Sequence, residues 1–200
     1  MRGFTTISVL FTAALSVFTN ASPVEVAKRQ TPASVASILT DLTNTVTPLA
    51  NQLLYATPDN ATSDVLTPII GSISSSVTDA VSSLNLLVGQ PTSVIMASVD
   101  GTTTLDTTDI SDLLSSVVNL ILTAANSLLS VVDSTITSII TSLVSELGTL
   151  VFSLLGTVLS LVTGLLVPLL TLLAPILSIV SSLGLTSLLG DLLGGLLGGL

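Results

Sequence analysis

Apolar residues recur at alternating steps of four and three positions in three successive segments of this chain. This spacing puts them on one face of an α-helix and predicts amphipathic helices that pack through those faces. Mostly Ser, Thr, Asn and Asp lie between them. We therefore predict helices over 33–55, 64–88 and 109–132. Their apolar seams are Val35, Leu39, Leu42, Val46, Leu49 and Leu53; Leu66, Ile70, Ile73, Val77, Ala80, Leu84 and Leu87; and Ile110, Leu114, Val117, Ile121, Ala124, Leu128 and Val131.

Residues typical of helix ends separate these segments. The sequence ATPDNA at 56–61 predicts a turn, and Gly89 is placed to end the second helix. Thr31 is predicted to cap the first helix, and Asp106, Thr107 and Thr108 are candidate caps for the third. Residues 93–99 fit either a short helix or an extended segment.

The C-terminal third is far more apolar than the rest. Residues 147–190 carry no charge, and 147–167 would span about 30 Å as one helix at ~1.5 Å per residue. Residues 184–200 are a low-complexity Leu/Gly tail. Because the three seams are expected to cover one another, we expect this region to be buried by self-association, at a surface or in lipid. The predicted fold is all-α: an amphipathic helical bundle over 30–132 and an apolar helical region over 133–200.

A stripe of small and hydroxyl residues runs through this apolar region, at Thr149, Ser153, Gly156, Ser160 and Thr163. In a membrane such a stripe packs helix against helix. In water it is the mild polar face of an apolar helix. No Lys, Arg, Trp or Tyr flanks the segment, which argues against a membrane span.

The first 21 residues have the pattern of a secretory signal peptide. Arg2 precedes a short apolar stretch at 7–18, and small residues ending at Ala21 suit signal peptidase. The apolar stretch is too short for a spanning helix. We expect cleavage after Ala21 and secretion to the cell wall or extracellular matrix.

A short propeptide is predicted at 22–29. It ends in Lys28 and Arg29, a dibasic pair of the kind cut by kexin-type proteases of the late secretory pathway. The mature chain would then begin at Gln30, which tends to cyclise.

The residues beyond position 29 exclude most catalytic chemistry. They include no Lys, Arg or His, and the whole chain lacks Cys and Trp. No nucleophile–base pair of the Ser-His, Cys-His or Ser-Lys kind can form, and the usual zinc ligands are absent. Eleven carboxylates without a cation disfavour nucleic acid and anionic lipid headgroups as partners. We expect neither an enzyme nor a cofactor, and no disulfide can brace the fold.

Two local features remain. The acidic run of Asp100, Asp106, Asp109 and Asp112 could in principle bind Ca²⁺, but it lacks the EF-hand pattern and fits loop solvation and helix capping better. Asn60 begins an Asn-Ala-Thr sequon in a predicted turn and is the candidate glycosylation site.

Several of these features together resemble a known group of proteins. They are the dibasic propeptide, the sequence VGQPTSV at 88–94, the sequence ASVDGT at 97–102, and the Leu/Val/Gly-rich end. Over most of 30–200 the chain resembles secreted hydrophobic wall and matrix proteins of mushroom-forming fungi. More distantly it resembles the hydrophobic surface-binding / cell-wall galactomannoprotein family. The resemblance implies a helical domain that binds hydrophobic surfaces without catalysis, and it supplies no catalytic residues.

The sequence therefore predicts a non-catalytic, surface-active structural protein. Its expected partners are hydrophobic surfaces, wall material, lipid or further copies of itself. Two alternatives stay open: a wall protein anchored in a membrane through a helical hairpin at 147–190, and a lipid-carrying helical bundle. The residues predicted to make the apolar contact are Leu39, Leu42, Val77, Leu84, Val117 and Ile121.

We predict processing after Arg29, because the dibasic pair follows the signal-peptidase site closely. Mass spectrometry of the secreted protein should find Gln30, cyclised, as the first residue. Recovery mainly of chains that begin at Ser22 would contradict this prediction.

Overall fold

The computed structural model describes residues 33–162, 164, 165, 168, 171, 177–182, 184, 186 and 190. These residues form an all-α structure, as predicted, and no strand occurs among them. A single antiparallel bridge joins Ala97 to Thr104. The helices are α1 (Val35–Leu54), α2 (Ser63–Asn85), α3 (Thr92–Ile95), α4 (Thr107–Val131), α5 (Thr137–Leu161) and α6 (Leu177–Ser182).

The four long helices form a bundle. α1 packs most extensively on α4, and α2 packs on α5; α1 also contacts α2, and α4 contacts α5 over a smaller area. The connections at 55–62 and 132–136 are too short to run back along a helix of about 30 Å, so α1 and α2 are antiparallel, as are α4 and α5. The four long helices thus form a ring in which each contacts two others. The longer connection at 86–106 contains α3 and joins α2 to α4, which are not adjacent in this ring.

The predicted seams form the core of the bundle. Leu49 and Val131 are half-buried, and the other seam residues are buried. α1 and α4 also bury residues outside their seams, whereas the buried residues of α2 all belong to its seam. These additional buried residues are Ala36, Ile38 and Ala50 in α1 and Ser111, Val118, Leu122 and Ala125 in α4.

Reciprocal hydrogen bonds fix the N-termini of α1 and α4. The cap of α1 is Ser34 rather than the predicted Thr31, which lies outside the described residues. Ser34 Oγ accepts the Ser37 N–H at 3.1 Å, and Ser37 Oγ accepts the Ser34 N–H at 2.9 Å. Of the three candidate caps for α4, Asp106 is the one that caps it, and Asp109 accepts the Asp106 N–H at 3.2 Å. Each capping box satisfies backbone donors that the first turn leaves unpaired.

α5 differs from the expectation for the apolar C-terminal region. It begins at Thr137 and ends at Leu161, so 147–167 is not one continuous helix. Its second half is buried in the same core as α1, α2 and α4. The four helices therefore bury this apolar surface within one chain, because their combined buried faces are wider than single seams. The buried residues are Leu147, Gly148, Val151, Phe152, Leu154, Leu155, Val158 and Leu159.

The stripe of small residues on α5 faces solvent. Thr149, Ser153 and Ser160 are exposed, and Gly156 is half-buried. The fifth member, Thr163, lies outside the described residues. In this structure the stripe lies on the exposed face of α5, and the opposite face of the helix is buried in the core.

One polar side chain sits in the core without a partner. Ser111 is fully buried in α4, and its Oγ makes no hydrogen bond. A buried, unsatisfied hydroxyl costs on the order of 1–3 kcal/mol. The core is otherwise aliphatic apart from Phe152 and the capping residue Ser34.

We predict that α5 is essential to the stability of the bundle. Leu154→Ala removes a fully buried side chain and should lower the free energy of unfolding by about 2–5 kcal/mol. Ser153→Ala, at the exposed neighbouring position, should change it by no more than about 0.5 kcal/mol. Urea denaturation followed by circular dichroism measures both, and equal stability of the two variants would show that α5 does not contribute to the core.

Candidate functional site

The residues predicted to contact a hydrophobic surface all lie inside the bundle. Each is at most 4% exposed, and all belong to one core cluster. In the closed bundle they cannot touch an external surface. They would do so only if the helices separated. These residues are Leu39 and Leu42 of α1, Val77 and Leu84 of α2, and Val117 and Ile121 of α4.

A second set of large apolar side chains is exposed, and the seam spacing does not identify it. Tyr55 is 80% exposed at the end of α1, and Leu86 is 78% exposed at the end of α2. Val88 lies just beyond Leu86. These residues are apolar but do not occupy the four-three positions of the seams. That mismatch was the sequence signal that they could be exposed. Val65, Val99 and Ile139 complete the set.

A shallow cleft of about 230 Å³ lies between α1 and α2. Its lining combines the apolar side chains of Ile38, Leu42 and Ala80 with the carboxylates Asp41 and Asp79. Hydroxyl residues complete the lining, and no cation or aromatic ring faces the cleft. A lipid-carrying bundle would require an enclosed apolar chamber, and this cleft is open and acidic.

Most hydroxyl groups on the helix surfaces are bonded to their own helix. Thr43, Thr47, Ser76 and Thr149, for example, each donate to the carbonyl oxygen four residues earlier. Within 33–162, every side-chain hydrogen bond that does not involve Asn126 joins residues at most five positions apart. Side-chain polarity therefore stays local and contributes almost nothing to holding one helix against another.

A small hairpin projects from the long connection between α2 and α4. Ser98 N–H donates to the Thr103 carbonyl at 2.8 Å, and Leu105 N–H donates to the Met96 carbonyl at 2.7 Å. Residues 93–99 thus contribute both to a short helix and to an extended piece. The turn requires Gly101, whose φ of +70° is costly for other residues.

Asp100 organises the tip of this hairpin. Its Oδ1 accepts the Ser98 hydroxyl at 2.5 Å and the Thr102 N–H at 3.1 Å. These hydrogen bonds, the Ser98 bond above all, lower the pKa of Asp100 to about 2. In the next connection Asp133 accepts bonds from Ser134 and Thr135, which lower its pKa in the same way.

The acidic run is used for local structure. Asp100 serves the hairpin, and Asp106 and Asp109 form the capping box of α4, whereas Asp112 is exposed one turn later. Across the described residues, no group of three or more His, Cys, Asp or Glu could hold a metal ion.

Asn60 lies exposed in the turn between α1 and α2. Its Oδ1 accepts the Thr57 N–H at 2.8 Å, which fixes the amide orientation. The amide nitrogen, where a glycan would be attached, makes no hydrogen bond. Glycosylation at Asn60 stays a prediction, as do the processing sites Ala21, Lys28 and Arg29, which lie outside the described residues.

Two described helices, α4 and α5, are long and apolar enough to cross a membrane by length and composition alone. In the structure 44% of each apolar stretch is buried within the bundle. Core helices of soluble proteins meet the same criterion. The observation therefore does not distinguish a membrane anchor from a bundle core.

We predict that Ser98 sets the acidity of Asp100. Ser98→Ala removes the strongest hydrogen bond to the carboxylate and should raise its titration midpoint from about 2 toward the usual value, as followed by carboxyl-carbon NMR. Ser93→Ala, at an exposed position without such a bond, should leave it unchanged. Because the folded pKa is lowered, the Asp100 hydrogen bonds stabilise the hairpin above about pH 4 and are lost as pH falls toward 2. An unshifted midpoint in Ser98→Ala would contradict this assignment.

Comparisons with known proteins give no relative from which function can be transferred. The chain matches no protein-family model, and no curated protein or solved structure is significantly similar to it. The function must therefore be argued from the chemistry and packing of this chain.

Proposed function

We propose that this chain is a secreted, non-catalytic structural protein of the cell wall or extracellular matrix that adsorbs to hydrophobic surfaces. In solution its four long helices keep the apolar seams inside. At an apolar boundary the helices separate, and the seams exchange their contacts with one another for contacts with the surface. The observation that carries the proposal is the apolar nature of the contacts between helices.

Apolar burial favours any water-free environment and has little directional preference. Hydrogen bonds and ion pairs between helices would resist separation, because each broken bond leaves polar groups to be satisfied again. Residues 33–162 contain no cation, so no ion pair links these helices, and their side-chain hydrogen bonds are local apart from that of Asn126. An apolar surface can therefore replace most of what holds the bundle together.

The exposed apolar residues suit a first contact with such a surface. Tyr55, Leu86 and Val88 are each more than 60% exposed and lie at helix ends or in connections. They can meet a surface while the bundle is still closed. The seam residues, which form the larger apolar area, would follow as the helices open.

The side chains of the described region support a non-catalytic role. Its ten carboxylates are all exposed, and it contains no His, Lys, Arg or Cys to pair with a hydroxyl nucleophile. The expected partners are hydrophobic surfaces, wall material or lipid, together with further copies of the chain. Apolar adsorption needs no cofactor.

We predict adsorption that persists in high salt. Attraction through apolar contacts is not screened by ions, whereas repulsion among the carboxylates is. Binding of the secreted protein to hydrophobic beads should therefore stay constant or increase between low and molar sodium chloride. Hydrophilic silica beads are the control and should bind little. Loss of binding at molar salt would mean that adsorption is ionic.

Opening of the bundle can be measured separately, because the chain has no Cys of its own. Spin labels at Asn44→Cys in α1 and Asn119→Cys in α4 report the distance between two packed helices. Labels at Ser138→Cys and Ser153→Cys, both exposed in α5, are the matched control within one helix. On beads the first distance should lengthen and broaden while the second stays constant.

Adsorption with both distances unchanged would show that the closed bundle binds and that the seams do not take part. Extraction of the native protein only with detergent would favour the membrane anchor instead. A lipid that co-purifies with the protein would favour the lipid carrier.

A further inference from the structure

The placement of the charged groups has a consequence beyond adsorption. Every described carboxylate is exposed: none is buried in the core, and none is paired with a cation. They are distributed over all four long helices and three connections. The ten are Asp41, Asp59, Asp64, Asp79, Asp100, Asp106, Asp109, Asp112, Asp133 and Glu146.

We infer that the mature chain, from Gln30 onward, is an acid-triggered assembling protein: it loses its charge in acid while still folded, associates with itself, and does not redissolve at lower pH. An ordinary protein becomes positively charged below its isoelectric point and is soluble again. This chain has no Lys, Arg or His beyond Arg29, so protonation takes it to neutrality and no further. At most one terminal amine remains, and cyclised Gln30 removes that charge as well.

Acid should not unfold the bundle first. Acid denaturation commonly follows from protonating carboxylates that the native state pairs, or from charging buried His. The described residues contain no His and no ion pair, and the helices are held by an uncharged aliphatic core. The lowered pKa values of Asp100 and Asp133 belong to connections. Protonation there loosens a hairpin and a loop, and protonation of Asp106 and Asp109 weakens the capping box of α4. None of these carboxylates lies in the aliphatic core that holds the helices together.

Self-association is the outcome because charge is the main barrier to it. Repulsion among like charges keeps a protein monomeric, and neutral surfaces associate. Once the carboxylates are protonated, the surface carries only uncharged hydroxyl, amide and carboxyl groups together with exposed apolar residues. Tyr55, Leu86 and Val88 are the most exposed of these and can meet their counterparts on another copy.

The inference depends on removal of residues 1–29, because the retained chain would keep all three cations. It does not depend on adsorption at neutral pH, so acid-triggered assembly and surface adsorption can each fail without the other. The test uses the secreted protein, its N-terminus confirmed by mass spectrometry. Analytical ultracentrifugation and circular dichroism follow its size and helicity from pH 7 to pH 2.

We expect a helical monomer at pH 7, loss of the monomer as pH falls below about 4, where carboxylates titrate, and helical assemblies that persist at pH 2. A variant with one added cation on each long helix should behave differently. Asn44→Lys, Ser75→Lys, Asn119→Lys and Ser153→Lys change exposed residues only and leave four positive charges at pH 2. This variant should redissolve at pH 2 as a helical monomer.

The matched control carries Glu at the same four positions and should stay assembled at pH 2, because its added groups are neutral there. A monomeric parent protein at pH 2 would overturn the inference. So would loss of helicity before assembly, or a lysine variant that stays assembled.

Discussion

The structure depends on contacts between aliphatic side chains of four long helices. Nothing else of comparable strength holds these helices together: the chain has no Cys for a disulfide, and beyond residue 29 it has no cation for a salt bridge. Side-chain hydrogen bonds within 33–162 stay within one helix, cap or turn, apart from that of Asn126. The stability of the bundle is therefore largely a matter of the apolar area removed from water, at roughly 25 cal/mol per Å².

This dependence connects the fold to the proposed activity. A core maintained by directional polar contacts would lose them on opening, and the polar groups left unpaired would oppose it. A core of Leu, Val and Ile can be rebuilt against any apolar phase. The fully buried, unbonded hydroxyl of Ser111 raises the free energy of the closed bundle. Separation of the helices would let water bond to it.

The same composition means that all charged side chains beyond residue 29 are negative. Exposed carboxylates keep copies of the bundle apart at neutral pH, and no positive charge attracts one copy to another. None of these carboxylates lies in the core, although Asp106 and Asp109 cap the core helix α4. Solubility and stability would then respond to different conditions: solubility to pH, and stability to apolar surfaces and to changes in the core.

The sequence by itself determined the helices and the seams. The four-three spacing identified α1, α2 and α4 to within a few residues, and almost every seam residue is buried, because a one-sided apolar helix has to cover that side. The sequence narrowed the cap of α4 to three adjacent residues before an apolar run, and the structure shows that Asp106 is the cap. The true cap of α1, Ser34, lies close behind the expected Thr31, and the two hydroxyl residues are equivalent as sequence signals.

Only the tertiary structure decided how the second half of α5 is buried. The sequence shows that Leu147 to Leu159 is too apolar to face water, yet it does not show which partner covers it. Pairing of α2 with α5 and of α1 with α4 is a long-range choice, and apolar residues carry no directional signal for their partner. The sequence marks Tyr55 and Leu86 only as apolar residues that do not occupy seam positions. Their exposure follows from where the helices end and from what the connections leave uncovered.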